Sequence, residues 1–136
     1  MGKASDDWAK ELDADWEQEM AAVRTDFVDL VQTGVDRIVD RSPVKTGQFK
    51  ANWSVSIGAP GGEVTKARDK DGTETKQRAR AVMAGYPEAG EFPTVYIENN
   101  LDYATDLEHG RSDQAPQGMA ALTSIELAAM WEARNK

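Results

Sequence analysis

The stretch that decides the fold is Arg41-Ser42-Pro43-Val44-Lys45-Thr46-Gly47-Gln48-Phe49-Lys50-Ala51-Asn52-Trp53-Ser54-Val55-Ser56-Ile57. Ser42-Pro43 stops whatever helix precedes it, because proline disfavours helical geometry in the residue before it. Val44-Lys45-Thr46-Gly47 reads as a turn. Phe49, Ala51, Trp53, Val55 and Ile57 then alternate with Lys50, Asn52, Ser54 and Ser56, the period of a strand with one buried face. Gly58-Ala59-Pro60-Gly61-Gly62 ends that strand.

Upstream, residues 5 to about 41 read as one long helix. Trp8, Leu12, Trp16, Met20, Val23, Phe27, Leu30, Val31, Val35 and Ile38 recur at steps of three and four, with Asp and Glu opposite. Ser5 is the expected N-cap; Asp6 and Asp7 suit the positive end of the helix dipole, and Arg37 and Arg41 the negative end. Such a helix spans roughly 54 Å, more than a domain of 136 residues covers with its own core. The half carrying Trp8 and Trp16 is therefore expected to pack on another subunit, unless the helix folds back or breaks near Gly34.

Downstream, residues 60–93 form a variable, charged arm. Asp69-Lys70-Asp71-Gly72 between two polar runs predicts a hairpin that projects into solvent, with Ala79 to Met83 as a short helix or a return strand. Gly85 to Pro93 is loop. Thr94 to Asn99 is a second strand, rich in β-branched and aromatic side chains, turned by Asn99-Asn100, which tolerate left-handed geometry. A helical turn over Tyr103 to Leu107 and a loop from Gly110 to Gly118 lead to a closing helix from Met119, with Leu122, Ile125, Ala129 and Met130 facing the sheet. The expected fold is α+β, a single domain over 1–136: a long N-terminal helix (1–41), a turn and strand (42–59), the arm (60–93), then strand, loop and C-terminal helix (94–136). The sheet is small and mostly antiparallel, with a protruding hairpin or loop and the C-terminal helix packed on it.

Composition narrows the function. There is no cysteine, which removes disulfides, thiolate metal sites and thiol catalysis. No apolar run approaches the roughly 20 residues that span a bilayer, and the acidic N-terminus has no apolar signal core, so use in a cytoplasm-like compartment is expected. The net charge of −8 argues against a dedicated DNA binder. Charge is unevenly placed: residues 1–40 carry −7, residues 41–80 carry +5 and residues 81–136 carry −6, an arrangement that favours head-to-tail contact between copies or, more simply, a solvated basic loop.

Catalytic patterns do not appear. His109 is the single histidine, and Glu108-His109-Gly110-Arg111 matches no nucleophile pattern. Asp69-x-Asp71-Gly72 lacks the remaining ligands of a calcium loop. No catalytic, cofactor or metal residue is assigned and no cofactor is expected. The candidate interface residues are Trp8, Leu12, Trp16 and Met20 on the helix, and Arg68, Lys70, Lys76, Arg78 and Arg80 on the arm.

Two segments taken together carry a resemblance. The first runs from Arg41 to Trp53, with Ser42-Pro43-Val44 and Thr46-Gly47 followed by Phe49-Lys50. The second is Tyr96-Ile97-Glu98-Asn99-Asn100-Leu101-Asp102-Tyr103-Ala104-Thr105-Asp106-Leu107-Glu108-His109-Gly110-Arg111-Ser112-Asp113-Gln114-Ala115-Pro116-Gln117-Gly118-Met119. In this order, after an N-terminal helix and around a variable insertion, they resemble the tail-completion or neck protein family of long-tailed bacteriophages, relatives of the lambda minor tail protein Z. The residues matching the family pattern are Pro43, Thr46, Gly47, Trp53, Asn99, Tyr103, Ala104, Glu108, Gly110, Gln114 and Pro116, read as fold-defining positions. The charged insertion departs from the simplest form of that pattern. The resemblance implies a structural virion component at the head–tail junction, assembled in the host cytoplasm, without catalysis. It implies a ring of copies, six- or twelve-fold, contacting other neck, tail-tube and head-connector proteins, with at most passive proximity to packaged DNA and no membrane. A tail terminator ring capping the tube, or a non-viral helical binding module, are the alternative readings.

Overall fold

The computed structural model describes residues 3–102, 104 and 118–134. The first element, α1, is one unbroken helix over Lys3–Arg41, about 58 Å long at 1.5 Å per residue. It begins before Ser5, so that residue lies inside the first turn and does not cap it. Its C-terminal half is the spine of the domain: Leu30, Val31, Val35, Ile38 and Val39 are buried on one stripe. Ser42 ends the helix by donating its hydroxyl to Ile38 O at 2.6 Å, just ahead of Pro43.

The alternating run is not a strand throughout. Gly47 adopts φ 86°, ψ 0° and starts a single helical turn, α2, over Gln48–Ala51. Ala51 N donates to Gly47 O at 3.1 Å. The strand β1 begins only at Trp53 and runs to Ile57. Period two misled because Phe49, Lys50 and Ala51 are all buried: when every side of a segment is covered, apolar spacing carries no period. β1 pairs antiparallel with β2, Val95–Asn99, in the register Trp53↔Asn99 to Ile57↔Val95. Asn99 is not left-handed, since among the described residues positive φ is confined to glycines. Its amide instead donates to Phe49 O at 2.9 Å, tying the end of the sheet to α2.

The expected protruding hairpin is replaced by a strap and a helix that belong to the core. Thr65 exchanges hydrogen bonds with the Asn52 side chain, Thr65 N to Asn52 Oδ1 at 2.8 Å and Asn52 Nδ2 to Thr65 O at 3.0 Å. Asp69 N donates to Gly47 O at 3.0 Å. Helix α3 then covers Thr73–Met83 and buries Thr75, Ala79 and Met83, one residue per turn. The buried Asp69 carboxylate accepts from Thr75 N at 2.8 Å and Thr75 Oγ1 at 2.7 Å, and Asp71 accepts from Thr73 N. Both carboxylates thus satisfy donors at the start of α3 that have no partner within the helix. Asp-Gly signals a positive φ, met here by Gly72 at 80°, but the same signal serves a hairpin tip and a helix start. Burial of one face of α3 against α1 and β1 decides between them.

The last element, α4, spans Met119–Arg134 and lies antiparallel along α1, not on the sheet. Met119 joins the core cluster, Leu127 packs over Gly34, and the Trp131 ring meets Phe27 edge-on at 6.3 Å. The expected face is off by part of a turn: Ile125 is 69% exposed, while Thr123 is buried and its hydroxyl accepts from Arg41 Nη1 at 2.9 Å. Gly34 does not break α1; its missing side chain is what lets α4 come close.

Glu126 on α4 pairs with both Arg37 and Arg41 of α1. Hydrogen bonds from Arg41, then Arg37, hold its carboxyl below the usual glutamate range. A carboxyl whose pKa is depressed on folding contributes stability above its unfolded pKa and loses it as pH falls through the folded one. The gap in urea midpoint between the native chain and Glu126→Gln is therefore expected to be open near neutrality and to close on acidification below the ordinary carboxylate range. Denaturation series at stepped pH check it; a gap independent of pH would contradict the assignment.

Candidate interaction surface

From Ser5 to Glu19 every residue of α1 is exposed. This half of the helix has no layer over it among the described residues. Trp8 is 64% exposed, Leu12 47% and Trp16 62%; Met20 is half-buried. These four recur every fourth residue and make a single apolar row. Large exposed aromatics aligned on one helix face are the features that mark a surface for association.

The row ends where the domain body begins. Trp16, Met20 and Arg24 on α1 face Glu88 and Phe92 of the 86–93 loop across an open cavity of about 730 Å³. Arg24 is buried, and its Nη1 donates to Pro87 O at 2.9 Å and Glu91 O at 3.0 Å. Its guanidinium lies 3.9 Å over the Phe92 ring. Tyr86, with its hydroxyl donating to Pro93 O at 3.0 Å, packs against Phe27, and burial pushes its phenol above the ordinary range, opposed by Arg24. The loop is thus clamped to α1 by one arginine, which sequence reading missed. Its signal was present: a cation flanked by Met20, Phe27, Val28 and Val31 at helical spacing.

The five basic residues of the arm divide into two groups. Lys76 pairs with Asp40 at 2.6 Å and Arg80 with Asp36 at 2.7 Å, while Arg78 donates to Ala51 O at 2.8 Å and Trp53 O at 3.0 Å. These three hold α3 to α1 and to β1, which corrects their reading as residues of a free arm. Arg68 and Lys70 are exposed on the strap and form no ion pair among the described residues.

Of the fold-defining residues, Gly47 and Trp53 are buried at the centre. Trp53 Nε1 donates to Ser42 Oγ at 2.7 Å, Thr46 Oγ1 accepts from Gln48 N, and Pro43 follows the end of α1. Asn99 is bonded as given above, and Ala104 packs against the core. Tyr103, Glu108, His109, Gly110, Gln114 and Pro116 lie outside the described residues. Among the described residues there is no group of three or more His, Asp or Glu placed to hold a metal ion, and no helix is long and apolar enough to cross a membrane.

Fold and surface together define an α+β protein whose body is built on half of a long helix, the other half standing out as an acidic arm with an apolar row. Comparison with protein-family models, with curated proteins and with solved structures returns no match.

Proposed function

We propose that this chain is a structural subunit of a bacteriophage neck, which completes the tail and joins it to the head by assembling into a ring, and that it carries no catalytic activity. The observation that carries this reading is the unpartnered arm: Trp8, Leu12 and Trp16 stand exposed on a helix with no layer of its own to cover them. A subunit that finishes its burial on neighbours explains that arrangement; a self-sufficient module leaves it without purpose. The motif order from Arg41 to Met119 supports the placement at the head–tail junction. The acidic surface keeps free copies soluble until partners are met.

The test is head joining in vitro. Purified chain is mixed with tails lacking this subunit and with filled heads, and joined particles are counted by electron microscopy. A Trp8→Ala/Trp16→Ala chain keeps its fold, because neither indole touches the core. Interface tryptophans in packed positions contribute about 2 kcal/mol each, so joining is expected to fall by well over roughly tenfold. Full joining by the double variant would overturn the reading.

A further inference from the structure

We infer that the acidic arm of one copy docks on the basic strap of the next copy, so that the contact between copies is head-to-tail. The inference rests on the reading of the arm as an assembly device and specifies where it binds.

The arm is strongly acidic. Residues 3–19 hold seven Asp or Glu against two Lys. Glu11, Asp15 and Glu19 follow one another every fourth residue, each one position before Leu12, Trp16 and Met20. An acidic row therefore runs alongside the apolar one. Two arms laid against each other would bring these rows together, and like charges at an interface oppose association. The occupant of the apolar row should be basic around an apolar centre.

Among the described residues, the strap carries the cations for such a contact. Lys66, Arg68 and Lys70 are exposed along the strap, and Lys45 is exposed on the turn the strap crosses. None of the four forms an ion pair among the described residues, in contrast to Arg37, Arg41, Lys76 and Arg80, which all do. Beside them lies an open groove with a mostly polar lining, Asn52, Ser54, Glu63, Thr65 and Arg78 together with Ala51 and Val64, and Val64 is 55% exposed. Exposed cations thus stand beside one exposed apolar side chain, Val64, and offer the acidic row of the arm its opposite charge.

The same molecule cannot close this contact. The strap is bonded to Gly47, just past the C-terminal end of α1. Trp8 lies 33 residues before Arg41 in a continuous helix, about 50 Å away. Arm and strap occupy opposite ends of a rigid rod, so each arm must find another copy. A contact between two different surfaces repeats from copy to copy and closes into a ring when the rotation allows.

Charge reversal tests this. Sedimentation velocity over a concentration series at low salt compares the unchanged chain with Lys66→Glu/Arg68→Glu/Lys70→Glu, with Glu11→Lys/Asp15→Lys/Glu19→Lys, and with a chain carrying all six changes. These side chains are exposed, and circular dichroism checks that each variant is folded. Self-association is expected to weaken roughly tenfold or more in each triple variant and to return in the six-fold variant, since opposite charges again face each other. Added salt is expected to weaken the unchanged chain. Strap reversal without effect, failure of the six-fold variant to recover, or an unchanged chain that stays monomeric throughout would each overturn the inference. If the tryptophan double variant still loses head joining in that case, the arm is an assembly device that docks elsewhere, and only the docking site assigned here falls.

Discussion

Replacing Gly47 with alanine is expected to lower the stability of the fold by about 3 kcal/mol, the sum of two separate costs. A left-handed backbone costs a non-glycine residue about 1–2 kcal/mol, and Gly47 has φ +86°. A Cβ built there would also stand 2.7 Å from Asp69 N and Lys70 N, and 2.9 Å from Asp69 C. Those are backbone atoms and cannot swing aside as a side-chain tip would, so the strap must shift, at about 1–3 kcal/mol for forced overpacking. The shift breaks the bond from Asp69 N to Gly47 O and loosens the point where strap, α2 and the start of α3 meet. For a domain of this size the melting temperature should drop by about 10 °C. Gly58→Ala is the control: φ is +88° there, but nothing lies within 4 Å of its Cβ position, so only the conformational cost of about 1 kcal/mol remains. Urea denaturation of both variants separates the two costs. Equal losses at both sites would show that the strap yields freely.

Trp53→Ala is expected to be more damaging still, about 4 kcal/mol or more. The indole is 6% exposed, meets Phe49 edge-on at 5.9 Å, and donates to Ser42 Oγ, which itself closes α1 through Ile38 O. Removing the ring empties the space among α1, α2 and β1 and leaves β1 with one fewer anchor. A two-stranded sheet has marginal stability without such packing, so the loss should reach the whole domain. Trp53→Phe keeps most of the ring contact and forfeits the indole N–H; the serine hydroxyl still has its carbonyl acceptor, so about 1 kcal/mol is expected from the lost hydrogen bond, plus a smaller packing loss. Thermal unfolding followed by circular dichroism measures both. If alanine and phenylalanine cost the same, the hydrogen bond to Ser42 and not the packing of the ring would be the dominant contribution.

Neither residue serves the arm, and the arm serves neither of them. The body of the protein is secured by α2, the strap and α3 gathered around Gly47 and Trp53, and residues 5–19 of α1 stand exposed outside it. This separation makes the surface variants informative: Trp8, Trp16 and the strap cations can be changed without touching the residues that hold the fold.

How much of this was legible differs from element to element. The long helix, its stop at Ser42-Pro43, the strand through Val55 and the strand Val95–Asn99 were written in local chemistry: an apolar stripe of helical period, a proline, and β-branched alternation. So was the exposure of Trp8 and Trp16, because a helix of that length outruns a domain of 136 residues. The start of β1, the face of α4 and the fate of residues 63–83 were not. Phe49 and Ala51 satisfy a strand pattern and a helical turn alike once all sides are covered. Ile125 and Leu127 are equally apolar, and only the close approach at Gly34 tells which one packs inward. Thr73–Met83 carries one buried position per turn, too weak a stripe to stand out among its charges, and it is a helix because that face is buried against α1 and β1, with Asp40 and Asp36 of α1 pairing its Lys76 and Arg80. Local periods and breakers are properties of neighbouring residues and can be read in order; which of several compatible conformations survives depends on partners distant in sequence, and those only the folded chain supplies.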